Sequence, residues 1–313
     1  MLKSALTVKR TLSTGEKVFV GKLVENSKQS FFQFDEAYLG AHSTSLAPFN
    51  LKADTSLQVA PRGPHYGIHG VFGDSLPDGW GLYLMDRVFR QNDHNPKEVT
   101  ALERLAYLGD RCMGALSYEP ELDLLDESKE SIDIITLGRA AVEEFEGTEQ
   151  GGRIHMISAC GLLDAPFREP SLDYVDLVKA TRIMCSVTES QKLIKRCMFN
   201  YLTVNQDDHS KNFSFLASDA DNWTLSPFYD IVYSPNPYKE HMTAFGGNGR
   251  TPKNALDQLA AQSGLSSKKA IMVMVEEIFE TTRSFSLEAK HLGLSPNLIK
   301  EIDKDMVEKF KAL

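Results

Sequence analysis

The chain is expected to fold as an α+β protein, with a small β-rich N-terminal domain followed by a mainly helical one. Three observations carry that expectation. Apolar and polar residues alternate over residues 18–24 and 31–34, the period of half-buried strands. Apolar residues recur at helical spacing over residues 191–202, 270–279 and 298–313. At 313 residues with 42% hydrophobic content, the chain is long enough for two or three domains with real cores.

Taken in order, residues 5–34 read as strands, with a hairpin turn at Glu25-Asn26-Ser27-Lys28, whose Asn and Ser are turn formers. The Pro- and Gly-rich stretch 61–67 reads as loop. His65 and His69 have the i, i+4 spacing of a helical metal pair, yet Pro64 and the neighbouring glycines argue against a helix and so against a metal there. Pro77-Asp78-Gly79 is turn chemistry, and residues 82–89 behind it carry a helical apolar stripe.

Residues 121–152 are acidic and helix-prone and end at Gly151-Gly152; they read as a linker between a domain over 1–120 and another over 153–313. In the second domain, Leu193, Ile194, Cys197, Met198, Tyr201 and Leu202 share one helical face, which predicts a buried helix. Phe213 and Phe215 alternate with Ser214, residues 218–222 are turn-rich, and Trp223-Thr224-Leu225 returns as the second arm of a hairpin. Gly246-Gly247-Asn248-Gly249 lacks both the G-x-x-x-x-G-K-[ST] spacing and the strand-to-helix setting of a phosphate loop, and reads as a turn. The methionines of residues 270–279 lie on an amphipathic stripe and read as core, not as a cofactor contact.

A net charge of −9 argues against a broad nucleic-acid footprint, so any DNA would be met through a partner. The four cysteines, Cys112, Cys160, Cys185 and Cys197, form no C-x-x-C pair and suggest neither a zinc site nor a disulfide framework. Lys9-Arg10 interrupts any signal-like apolar run, and no stretch is apolar for long enough to span a bilayer. A cytoplasmic protein with reduced thiols and no membrane partner is expected.

The stretch richest in chemistry is residues 199–216, followed by Ser226-Pro227-Phe228-Tyr229-Asp230-Ile231. A helical run breaks into a polar loop holding Asp207, Asp208, His209, Lys211 and Asn212, and the hairpin then leads to Asp230. Asp207 and Asn212 stand five apart, the interval between the base and the metal-binding Asn of a protein-kinase catalytic loop. Phosphoryl transfer needs a carboxylate to orient or deprotonate the attacking hydroxyl, and oxygen ligands to hold Mg²⁺. Asp207 suits the first task, Asn212 and Asp230 the second. Asp208 lacks the five-residue relation to Asn212 and ranks behind Asp207. Asp and Asn also cap and turn exposed loops, and His209 fits a satisfied structural histidine as well as a catalytic one; the ordered set of loop, hairpin and acid is what favours chemistry.

Asp207, His209, Lys211 and Asn212, with Tyr229-Asp230 downstream, resemble the D-x-H-x-K-N and YD signatures of the HipA family of serine/threonine kinases, the toxin halves of bacterial toxin-antitoxin pairs. Residues 72–89 with 105–120 resemble that family's small N-terminal domain, and residues from 153 onward its helical kinase lobe. The resemblance implies Asp207 as catalytic Asp, with His209 and Lys211 supporting the loop and the transferring phosphate, and Asn212 and Asp230 as Mg²⁺ ligands. It implies ATP as phosphoryl donor, a protein serine or threonine as acceptor, a helix-turn-helix antitoxin of the HipB type as partner, and DNA met only through that antitoxin.

The family's nucleotide lobe, with its phosphate loop and strand lysine, is not found between Gly114-Ala115-Leu116 and Arg153-Ile154-His155; residues 121–152 offer only Lys129 and Arg139. Its loss should take phosphoryl transfer to background unless another chain supplies those donors, since one well-placed donor is worth about 3 kcal/mol. It should also leave an apolar face to be covered by the small domain, by residues 121–152 or by a second copy of the chain. The alternative is a catalytically inert HipA-like protein that binds an antitoxin and modulates its repression.

Overall fold

The computed structural model describes residues 4–26, 29–42, 45–122 and 151–313. The acidic helix expected over residues 121–152 therefore lies, apart from two residues at each end, outside the described residues. The chain falls into two compact units, Met1–Asp164 with Phe215–Trp223, and Ala165–Ser214 with Thr224–Leu313.

The first unit is built on an antiparallel five-stranded sheet of β1 (Ala5–Thr11), β2 (Lys17–Glu25), β3 (Ser30–Phe34), β4 (Gln58–Val59) and β5 (Leu116–Glu119), in the order β4-β3-β2-β1-β5. Strict alternation would place Val20 on one face with Lys22. Instead Val8 pairs with Gly21 and Lys9 with Phe19, leaving Val20 as the extra residue of a bulge. The phase switches there, so Val20 and Leu23 are both buried while Lys22 is exposed. Gly21 lies so close to β3 that a Cβ would fall 2.2 Å from the carbonyl oxygen of Gln33.

The sheet packs Phe32 against Phe72, ring centroids 4.8 Å apart. Phe72 belongs to α2 (Gly70–Gly73), which follows α1 (Glu36–Ala41) and precedes α3 (Gly79–Gln91) and α4 (Ala101–Leu108). The expected turn at Pro77–Gly79 opens α3, with Asp78 at its N-cap. Thr100 and Glu103 form a reciprocal capping box on α4, and Met85, Phe89 and Tyr107 make the core between α3 and α4. His69 directly precedes the single turn of α2, and His65 lies four residues earlier, outside any helix.

Beyond β6 (His155–Ser158) and α5 (Ala159–Leu163), the expected hairpin forms as β8 (Ser214–Ala217) and β9 (Trp223–Leu225), in a sheet ordered β6-β8-β9. Its tip is held by Arg10, a buried guanidinium of β1 that donates to the carbonyl of Ser218 at 3.0 Å and to the Tyr38 hydroxyl at 3.2 Å. Asp219 accepts from the Ser13 N–H at 3.0 Å.

The second unit packs α6 (Tyr174–Met184), α8 (Leu256–Ser263), α9 (Lys268–Thr282) and α11 (Pro296–Ala312) around α7 (Val187–Leu202), with α10 (Phe285–His291) against α11. A short parallel pair, β7 (Leu172–Asp173) and β10 (Thr243–Ala244), closes one side. The face predicted for α7 is the buried one: Leu193, Ile194, Cys197, Met198, Tyr201 and Leu202. In α9 the fully buried positions are Ile271 and Val275, while Met272 and Met274 are only half-buried.

Candidate functional site

The loop after α7 takes its shape from backbone strain and buried amides. Thr203 closes the helix by donating its N–H to Phe199 O, and Val204 then turns the chain with φ of 57°. That conformation is costly for a β-branched residue, on the order of 1–3 kcal/mol, and is tolerated where surrounding bonds over-determine it. Those bonds are present. Asn205 N–H donates to Asn200 O at 2.9 Å, and its Nδ2 donates to Asn200 Oδ1 at 3.0 Å and to the carbonyl of Asp230 at 3.3 Å. Asn205 also accepts at Oδ1 from the hydroxyl of Ser234, at 3.2 Å.

The same Ser234 Oγ accepts from the N–H groups of Gln206 and Asp207, at 3.0 and 3.1 Å. Gln206 in turn accepts at Oε1 from the Asn236 N–H at 2.8 Å. Two side-chain amides, those of Asn205 and Gln206, and one hydroxyl, that of Ser234, therefore bring residues 230–236 alongside the segment carrying Asp207.

Asp207 is exposed, whereas Asp208 beside it is fully buried. The Asp208 carboxylate accepts from the Tyr174 hydroxyl at 2.7 Å, His241 Nδ1 at 2.9 Å and the Thr243 N–H at 3.2 Å. The Asp208 side chain has no solvent exposure. Burial, then the adjoining carboxylate, push the Tyr174 hydroxyl well above its ordinary range, so it remains a donor.

Residues Ser210–Asn212 form one 3₁₀ turn, capped by His209, whose Nδ1 accepts from the Lys211 N–H at 3.3 Å. His209 packs edge-on against Phe167, and the Lys211 ammonium lies 4.7 Å from the centre of the same ring. Asn212 is buried and donates its Nδ2 to the carbonyl of Asp207 at 2.8 Å. That bond fixes which way the amide faces and spends its nitrogen, not its oxygen. Asp230 is exposed and takes a left-handed φ of 53°. Tyr229 just before it donates to the carbonyl of Lys211 and lies 2.6 Å from the Ser214 hydroxyl.

The donor set of Asp207, Asn212 and Asp230 is all oxygen, which suits a hard cation such as Mg²⁺. Among the described residues, no group of three or more His, Cys, Asp or Glu is placed to hold a metal ion, so a cation here would depend on the amide oxygen as well as the carboxylates. The Gly246–Gly249 stretch is a turn closed by a Phe245–Asn248 bridge, and the carboxylate of Asp173 accepts from the N–H groups of Gly246 and Gly247 at 3.0 and 2.7 Å. Amides engaged in this way are not offered to a phosphate.

Asn205, Ser234, Tyr174, His241 and Phe167 were not singled out in the sequence. Each lies outside the D-x-H-x-K-N run and is of a type that sits unremarkably in any core or loop.

Two family models match this chain. One, described as the HipA N-terminal domain, matches residues 15–119, and one described as the HipA-like C-terminal domain matches residues 127–285. A curated protein named "Putative kinase Y4dM", from Sinorhizobium fredii, is 29% identical over 173 residues, which is 52% of this chain and 42% of that protein. The chain thus spans less than half the length of that relative. Among solved structures, the complex of HipA, HipB and operator DNA from Shewanella oneidensis MR-1 contains a chain that matches with a TM-score of 0.67 at 12% identity, over 97% of each chain. At that identity the likeness is one of fold. Among the described residues, no helix is long and apolar enough to cross a membrane.

Proposed function

This chain belongs to the HipA family, and from that premise we propose that it is a kinase-like protein whose loop 205–212 and Asp230 hold Mg²⁺ and present a base to a protein serine or threonine. The observation that carries the reading is the bond from Asn212 Nδ2 to the Asp207 carbonyl, which leaves the amide oxygen for a cation beside the exposed Asp207. Support comes also from Asn205, which ties the Asp230 backbone to the same loop.

Asp207 accepts the proton of the acceptor hydroxyl, and Asn212 Oδ1 and the Asp230 carboxylate hold the cation. His209 caps the 3₁₀ turn that carries Asn212, and Lys211, over the Phe167 ring, supplies positive charge beside it. Bound Mg-ATP would supply the transferable phosphoryl group and the charge to neutralise it. Calorimetry tests this: the chain should bind Mg-ATP, and Asp230→Ala should abolish binding. A wild-type chain with no measurable affinity for Mg²⁺ or Mg-ATP removes the reading.

A second reading is favoured by one observation, the lack of a phosphate loop or strand lysine between Gly114 and Arg153 in the sequence. On that reading the chain is an inert HipA-like protein that binds a helix-turn-helix antitoxin of the HipB type, meets DNA only through it, and is open to self-association. It predicts antitoxin capture unaffected by Asp207→Asn; loss of capture in that variant, or no capture by the wild type, counts against it.

A further inference from the structure

The geometry points to Asp208 as a positioning residue, whose buried carboxylate, gripped by Tyr174 and His241, sets the shape of the loop that presents Asp207 and Asn212. The inference rests on the reading of that loop as a phosphoryl-transfer site.

The side chains of Asp208 and His241 are both without solvent exposure. His241 Nδ1 faces a carboxylate oxygen, which can only accept, so Nδ1 is the donor of that bond, while Nε2 has no hydrogen-bond partner. The other two donors come from different elements, the Tyr174 hydroxyl from α6 and the Thr243 N–H from β10. Thr243 also donates its hydroxyl to the carbonyl of Asp208, so residue 208 is held through both side chain and backbone. The network continues inward, because the Tyr174 oxygen accepts from Asn200 Nδ2 at 2.9 Å and Asn200 Oδ1 accepts from Asn205.

Residues 207 and 208 are adjacent in a segment that is neither helix nor strand, with Asp208 buried and Asp207 exposed. Because Asp208 is held at both its carboxylate and its carbonyl, its anchoring fixes the backbone from which Asp207 projects. A carboxylate buried this deeply is stable only while its donors are all in place, which makes it a sensitive lock on the loop. An asparagine at 208 can accept at one oxygen only, and its amide nitrogen would meet a donor face to face.

The test compares the wild-type chain with Asp208→Asn, using hydrogen–deuterium exchange and titration with Mn²⁺ alone. Exchange of the amides of residues 205–212 should quicken about tenfold in Asp208→Asn while the amides of α9 and α11 are unchanged. Affinity for Mn²⁺ should fall about tenfold although Asp208 is not a ligand, the usual size of an effect on residues behind a metal ligand. In a transfer assay kcat should fall about 100-fold with little change in KM for ATP, as expected of a misplaced base. The low-field resonance of the His241 Nδ1–H should disappear.

Loop exchange unaltered in Asp208→Asn overturns the inference. A wild type that binds no Mn²⁺ defeats the phosphoryl-transfer reading, while the exchange comparison still decides the role of Asp208. Should Asp208→Asn fail to fold, Tyr174→Phe, which keeps the acid and two of its donors, must shift exchange in the same direction by a smaller factor. No shift in that variant also overturns it.

Discussion

Asn205 is the residue that ties the loop after α7 to the segment at Asp230. Its amide touches Asn200 in α7, the carbonyl of Asp230 and the hydroxyl of Ser234, and it is buried. Asn205→Ala should cost about 1–3 kcal/mol, the penalty of stranding buried polar partners, and should weaken Mn²⁺ binding as well; a urea midpoint equal to wild type contradicts this. A second prediction at this scale concerns acid. Burial, followed by the repulsion of Arg10, takes His155 down to about 3, and burial takes His69 down to about 4. Both fall below the ordinary value of 6.5, so the unfolded chain binds the extra protons between that value and the folded one. Their stability contribution is complete above pH 6.5 and is lost as pH falls, by about 1.4 kcal/mol per pH unit for each histidine. Urea midpoints at pH 7 and pH 5 check it, and equal midpoints would be the contrary result.

At the scale of elements, α7 is the support of the loop, and its stability is local as well as tertiary. Ser186 caps it by accepting from the Glu189 N–H at 3.1 Å, so Ser186→Ala should cost about 1 kcal/mol. Leu193 is completely buried, so Leu193→Ala should cost about 2–5 kcal/mol and, by loosening the helix, speed amide exchange in the loop. Denaturation curves of both variants test the ranking. The apolar face of α7 was legible in the sequence because helical periodicity records burial directly. The phase of β2 was not, since the bulge at Val20 depends on how β1 pairs with it. Gly21→Ala should break that pairing, because no rotation of a Cβ avoids the Gln33 carbonyl; a soluble variant with wild-type thermal stability would show otherwise.

For the whole molecule, the hairpin after Asn212 is anchored by a residue from the far end of the sequence. Arg10 is buried among Tyr38, the carbonyls of Ala217 and Ser218, and the carboxylates of Asp221 and Asp219 at 3.6 and 3.9 Å. Arg10→Met keeps volume but leaves those groups without its charge, and should cost about 3–5 kcal/mol; a thermal melt unchanged from wild type would contradict that role. By itself the sequence determined the α+β order of elements, the helix under the loop, the hairpin and which residue types the candidate loop holds, because periodicity, turn chemistry and short-range spacing are local properties. Tertiary structure alone decided that Asp207 faces water and Asp208 the core, that Asp173 occupies the glycine amides, and that Asn205 and Arg10 join distant segments. Hydrogen bonds between residues up to 208 positions apart leave no period in the chain that could announce them.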